Sequence, residues 1–315
     1  MSFWSKQREK WQHKLSSLRE RSPAFELGIA AMLSVLVFAI PFADPLLYPL
    51  SLLVELSHQS MSAIFALLSL GTVSGIAVHV DTGGMLTYSG GSRSLVAMGG
   101  YLGSGLLALV FLWLFRNPER IGRWLFLFGA ALSLLAVLYG GEGRTWPAVI
   151  LLVVGGLLAW RAFKREPPKA QLDKLKLGSS IAVLAAVIYL AVSGAILTWL
   201  VGVGCALLLG FVVLKAPAIW SRLLFALIIM QLALHPLMDL KGILGLSVLR
   251  PKRTAAAAMV EAIGSSEVSW ALLWTLINMA LLGLGMLYLY RRAKRLAAQP
   301  VTAPKNVENE AFIDV

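Results

Sequence analysis

Long apolar stretches separated by short polar breaks set the pattern of this chain. Nine such runs stand at roughly 24–43, 46–70, 94–115, 121–139, 146–163, 178–194, 197–215, 218–238 and 268–290. Most approach the ~20 residues a helix needs to cross the hydrocarbon layer. The pattern predicts an all-α polytopic membrane protein with about nine transmembrane helices. Pro41, Pro45 and Pro49 punctuate the first connection, so the 46–70 helix begins near a short turn. Between Thr72 and Ser89 the period changes. Val73, Ile76, Val78 and Val80 include an alternating stretch, Asp81-Thr82-Gly83-Gly84 turns, and Met85-Leu86-Thr87-Tyr88 returns. This predicts a short β-hairpin at 72–89, with Gly83 and Gly84 supplying the turn. Extended backbone at membrane depth must line a cavity or be covered by protein.

The remaining runs complete a single transmembrane domain over 24–290. Within 121–215 each half holds an apolar run, a break, and then Thr-Trp (Thr145-Trp146, Thr198-Trp199) opening a glycine-rich run. That suggests duplicated helical hairpins joined by a polar linker, Lys164 to Lys176, with Pro167 and Pro168 inside it. Before the domain, segment 1–23 places Phe3, Trp4 and Trp11 among Lys6, Arg8, Lys10, Lys14, Arg19 and Arg21. It suits a basic amphipathic helix on an anionic membrane surface. The tail, 291–315, carries Glu308, Glu310 and Asp314 and reads as disordered and solvent-exposed.

Composition excludes a soluble domain, because 58% of residues are hydrophobic and 14% charged. The net charge of +12 would suggest nucleic acid in a soluble protein. Here Lys and Arg cluster at the ends of apolar runs, where they meet headgroups. The expected partner is therefore the lipid bilayer, and no nucleic acid. The one cysteine, Cys205, lies within an apolar run; it permits no internal disulfide and reads as a core residue.

Candidate chemistry starts inside the 46–70 run, at Val54-Glu55-Leu56-Ser57-His58. An ionised group at bilayer depth costs roughly 2.5–3.5 kcal/mol even on lenient scales, so such residues mark a use. Positions 54, 55 and 58 share a helix face. This is the geometry of H-E-x-x-H, in which two His bind zinc and Glu is the general base, except that the first His is Val54. A second polar point, His235 and Asp239, lies near the end of the 218–240 helix at a spacing of one turn.

The run that follows, GTVSGIAVHVDTGGMLTYSGGSRSLVAMGGYLGSG at 71–105, resembles the M50B-like branch of the site-2-protease class of membrane zinc metallopeptidases. In that branch a helix with H-E-L-S/G-H runs into a glycine-rich hairpin, then G-G-x-R and A-G-Y-L-G-S. The matching residues are Glu55-Leu56-Ser57-His58, Gly83-Gly84, Gly90-Gly91-Ser92-Arg93 and Gly100-Tyr101-Leu102-Gly103-Ser104. The resemblance implies Glu55 as catalytic base, His58 and Asp239 as zinc ligands, and a structural motif of Arg93, Gly100, Tyr101 and Gly103. It also implies that the hairpin, through Gly83, Gly84, Met85 and Thr87, docks an extended substrate by strand addition. Two positions depart from the pattern. Val54 replaces a ligand, and Thr254-Ala255-Ala256 stands where the family has Ser-Asp-Ala, ahead of the Trp270–Trp274 pair.

Catalytic zinc normally has three protein ligands, so the loss of one points to a catalytically impaired pseudoprotease that binds membrane-protein clients. In that reading Glu55 and His58 pair with each other. One alternative is an active intramembrane zinc endopeptidase whose site is rebuilt from His58, Asp239 and His235, or with His79 of the hairpin. Another is a transporter or channel, which broken helices and intramembrane charges would suit. All three readings expect a multi-pass integral membrane protein, in a bacterial inner membrane.

Overall fold

The computed structural model describes residues 23–40, 44–141, 145–164, 169–247 and 254–297. The basic segment before Pro23 and the acidic residues of the tail lie outside them, as do Pro167 and Pro168. In chain order the elements are α1 (Pro23–Ala39), a 3-10 turn (Asp44–Leu47), α2 (Tyr48–Leu68), β1 (Thr72–Val78), β2 (Gly84–Ser89), α3 (Arg93–Phe115) and α4 (Ile121–Tyr139). They continue with α5 (Trp146–Lys164), α6 (Lys169–Val192), α7 (Ala195–Lys215), α8 (Ala218–Ile243), α9 (Ala255–Ile263) and α10 (Glu267–Ala297). The described residues are thus helical with one small hairpin, as the apolar pattern predicts. Among the described residues, seven helices are long and apolar enough to cross a membrane, and the apolar parts of α1 and α5 are shorter.

Burial separates a centre from a periphery. In α2, α3 and α8 the most apolar window is 67%, 61% and 67% buried inside the protein, against 11–28% for the other spans. Those other spans turn most of their apolar surface outward, as lipid-facing helices do. In the centre Phe111 of α3 lies with its ring centroid 5.0 Å from both Phe128 of α4 and Phe225 of α8. Helix α1 is stitched to α8 by polar contacts: Arg222 to Glu26 at 2.9 Å, Gln231 Nε2 donating to Ser34 Oγ at 3.0 Å, and buried Lys241 donating to the carbonyls of Val37 and Ile40. Lys241 thereby satisfies carbonyls at the C-terminal end of α1, which the helix itself leaves without partners.

Helices α4 to α7 nest. The outer pair α4/α7 packs together and the inner pair α5/α6 packs together, where a duplication would give two successive hairpins. The expected linker is helical from Lys169 onward, because Lys, Ala, Gln and Leu are good helix formers. Likewise α10 continues past 290 to Ala297. Its Arg-Arg-Ala-Lys-Arg ending favours helix and complements the negative C-terminal dipole, so residues 291–297 are helical. The short helix α9 was not foreseen; Thr254 caps it by accepting from Ala257 N at 3.0 Å.

The hairpin is antiparallel, with Thr72 opposite Ser89 and Val78 opposite Gly84, and it is irregular between Val73 and Gly75. Its turn is not built as the glycines suggest. Thr82 takes the positive φ (64°), and neither Gly83 nor Gly84 does. The Asp81 side chain accepts from Gly83 N at 3.1 Å and stabilises the reversal. The outer edge of β1 is covered: Gly141 N donates to Ile76 O, and Val78 N donates to Thr198 Oγ1 of α7. The outer edge of β2 has no strand partner among the described residues.

Candidate functional site

Helix α2 projects Glu55 and His58 into the interior, where they are 5% and 2% exposed. Pro236 stands inside α8 without ending it, so His235 and Asp239 share one face, the first reaching Glu55 of α2 and the second Tyr101 of α3. His235 Nε2 lies 3.4 Å from Glu55 Oε2, and Gln59 Nε2 donates to Glu55 Oε1 at 2.7 Å. The rings of His58 and His235 are 4.6 Å apart, and Tyr101 of α3 stands edge-on to His58 at 5.0 Å. Tyr101 is fully buried; its hydroxyl donates to Asp239 Oδ2 and accepts from Ala256 N of α9 at 3.2 Å. Trp274 of α10 stacks on the same Tyr, and Asn278 Nδ2 donates to its carbonyl. Four helices and the start of α9 therefore meet around one polar cluster.

Glycines permit this convergence. A Cβ on Gly100 would collide with the His58 ring, and one on Gly103 with Met61. Gly84 serves the site in the same way, because a Cβ there would strike the Glu55 carboxyl and Gln59. Its role is close approach of β2 to α2, and the turn itself does not need it. Gly90 and Gly91 take φ of 70° and 72° ahead of Ser92, which caps α3. That accounts for the Gly-Gly-Ser-Arg segment in local terms.

A cleft of about 320 Å³ opens beside His58. Gly84, Met85, Leu86 and Tyr88 of β2 form one wall, Arg93 and Val96 of α3 another, and Thr254 with Ala255 and Glu261 of α9 the third. Thr87 is not among the lining residues, and Gly83 faces a separate surface cavity that also holds His79. His79 is exposed in the hairpin turn and does not join the cluster. On the other side of α2 a small cavity of about 40 Å³, room for about one water, is lined by Val54, Thr82, His235 and Asp239 among others. Val54 is 2% exposed and belongs to the main apolar cluster.

The expected partnership of Glu55 with His58 is absent. Gln59, one turn away, and His235, delivered by α8, take the carboxyl oxygens, and His58 Nδ1 is buried without a hydrogen-bond partner. Among the described residues no group of three or more His, Cys, Asp or Glu is placed to hold a metal ion. His58, His235 and Asp239 are neighbours, but Asp239 is held by Tyr101 and His235 by Glu55. As arranged, the donor set does not fit a three-ligand zinc site. The sequence singles out Glu55, His58, His235 and Asp239, which the fold brings near one another, and it marks Tyr101 only as a motif residue. It missed Gln59, although the i, i+4 spacing from Glu55 was a usable signal.

No curated protein and no solved structure matches the chain. Residues 28–173, which hold the Glu55 helix, the hairpin and the glycine-rich start of α3 but neither His235 nor Asp239, match the family model described as Peptidase M50B-like.

Proposed function

We propose that this protein keeps the M50B-like cleft without the peptidase chemistry, and that it holds an extended segment of a membrane-protein client along β2. The observation that carries the reading is Val54. The position that H-E-x-x-H gives to a zinc ligand is an apolar side chain packed in the core, while Glu55 is engaged by Gln59 and His235, and Asp239 by Tyr101. The unpaired edge of β2 along the 320 Å³ cleft supports strand addition. Backbone hydrogen bonds would give the affinity there, and contacts with Met85, Leu86 and Tyr88 the selectivity. In bacteria a bundle of this kind belongs to the inner membrane, because outer-membrane proteins are barrels.

A second reading is favoured by one observation. His235 lines the same small cavity as Val54 and approaches Glu55 from α8. A site rebuilt on His58, His235 and Asp239 would thus keep the missing imidazole close to its usual neighbourhood, and the protein would be a zinc endopeptidase. Zinc per chain in detergent-purified protein, measured beside His58→Ala, separates the two. The proposed function expects no metal above background in either protein. Near-stoichiometric zinc that disappears in His58→Ala would overturn it in favour of the rebuilt site. A photo-crosslinking residue at Met85 in intact membranes tests the client side, and capture of the same protein set by an equivalent probe at exposed Val192 would count against docking at β2.

A further inference from the structure

Away from the cleft, the C-terminal ends of α3 and α10 come together. Tyr101 meets Trp274, Gly105 meets Asn278, Gly285 meets Leu112, and Arg116 meets Tyr288, so the two helices run parallel, and α10 continues to Ala297 beyond the end of α3. One face of α10 changes character in steps as it leaves the apolar span. Leu284 and Leu287 come first, then Tyr288, then Arg291, Arg292 and Arg295. These six residues line a surface cavity of about 450 Å³. Their spacing (i, i+3/i+4, i+7/i+8, i+11) keeps them on one stripe of the helix.

A second helix adds to the cation side. The Arg116 guanidinium lies 3.8 Å over the Trp113 ring and donates from Nη1 to Tyr288 Oη at 3.4 Å, while its Nε is buried without a hydrogen-bond partner. Arg292 Nη1 is likewise buried and unpartnered among the described residues. The turn after α3 carries one carboxylate, Glu119, with Arg120 and then Arg123, so the local balance stays cationic. A buried guanidinium N–H without an acceptor is costly; beside it Arg291 and Arg295 are exposed, and the acceptor such a cluster meets at the end of a transmembrane span is a lipid headgroup.

From this geometry we infer that the α3/α10 terminus is a binding site for one anionic phospholipid. The acyl chain lies on Leu284 and Leu287, Tyr288 sits at the headgroup level as interfacial aromatics do, and the phosphate is held by Arg292 and Arg295 with Arg116 and Arg291 around it. Guanidinium forks suit phosphate oxygens better than ammonium groups do. The apolar floor is what distinguishes a lipid phosphate from a free one.

The test is native mass spectrometry of the full chain released from phosphatidylglycerol/phosphatidylcholine vesicles, with size-exclusion elution as the check on folding. The expected result is one phosphatidylglycerol retained per chain in preference to phosphatidylcholine, and no displacement by excess inorganic phosphate. Arg292→Gln with Arg295→Gln should weaken retention about thirtyfold, taking each cation near an anionic surface at its usual worth. Lys215→Gln, at the exposed end of α7, should leave it unchanged. Equal retention of the two lipids, displacement by inorganic phosphate, or the same loss in Lys215→Gln would each overturn the assignment. If the double variant fails to elute as a folded species, Leu284→Asn reads the same site from its acyl end, and unchanged retention there would also overturn it.

Discussion

Removing the hydroxyl of Tyr101 is the sharpest test of whether the polar cluster holds the central helices together. The side chain is fully buried, and its hydroxyl makes two hydrogen bonds that join three helices, one donated to Asp239 of α8 and one accepted from Ala256 N of α9. Tyr101→Phe keeps the ring, its stacking on Trp274 and its edge contact with His58. The loss is therefore almost entirely the two polar contacts. Interhelical hydrogen bonds in membrane proteins average about 0.6 kcal/mol in double-mutant cycles, which gives a floor of about 1.2 kcal/mol for two of them. A buried partner left unsatisfied costs about 1–3 kcal/mol, which sets the ceiling for two at about 6 kcal/mol. Ala256 N donates to no other acceptor among the described residues, and Ala256 is fully buried, so we expect about 2–3 kcal/mol, between those bounds. Asp239→Ala alone removes the other end of one bond, and the double variant closes a thermodynamic cycle. Reversible unfolding in detergent should return a coupling of about 1 kcal/mol or more between the two sites. Strict additivity, or a Tyr101→Phe protein as stable as the parent, would refute the view that this hydroxyl ties α3 to α8 and α9.

Two further substitutions probe the packing. Gly84→Val places a branched side chain where Glu55 and Gln59 already stand; it should displace β2 from α2 and abolish crosslinking from Met85 while α3 and α8 stay assembled, and retained crosslinking would argue that the cleft does not depend on this approach. Breaking the Glu26–Arg222 pair with Arg222→Met should destabilise the α1/α8 contact by about 3–5 kcal/mol, because it leaves a buried carboxyl without its partner. Adding Glu26→Leu should recover most of that loss, and if both variants unfold at the same denaturant concentration the pair is not what fastens α1.

Helix after helix was legible in the apolar runs, since a chain in lipid must satisfy its backbone within each segment and only long apolar helices do so. The hairpin was legible too, because its side chains alternate where those of the neighbouring segments follow the helical period. Helix ends were less so. Residues 169–176 and 291–297 are polar and basic, so they look like linkers when hydrophobicity is the only signal, yet each continues a helix. The glycines at 83 and 84 suggested a turn, whereas Thr82 carries the left-handed residue of that turn and Gly84 is kept for room beside Glu55.

By itself the sequence determined that the chain is a helical membrane bundle with one hairpin, and that its unusual polar residues are Glu55, His58, His235 and Asp239. Spacing along a helix fixes which face a residue occupies, and burial of an ionisable group in an apolar run marks it whatever the fold. The tertiary structure alone decided who pairs with whom. His235 and Asp239 are about 180 residues from Glu55, and no local rule says that α8 turns the first toward Glu55 while the second is claimed by Tyr101. The partner that Glu55 finds is set by how closely glycine lets α2, α3 and β2 approach, and by where α8 crosses them. That is a property of packing among helices, which a single chain's periodicity does not encode.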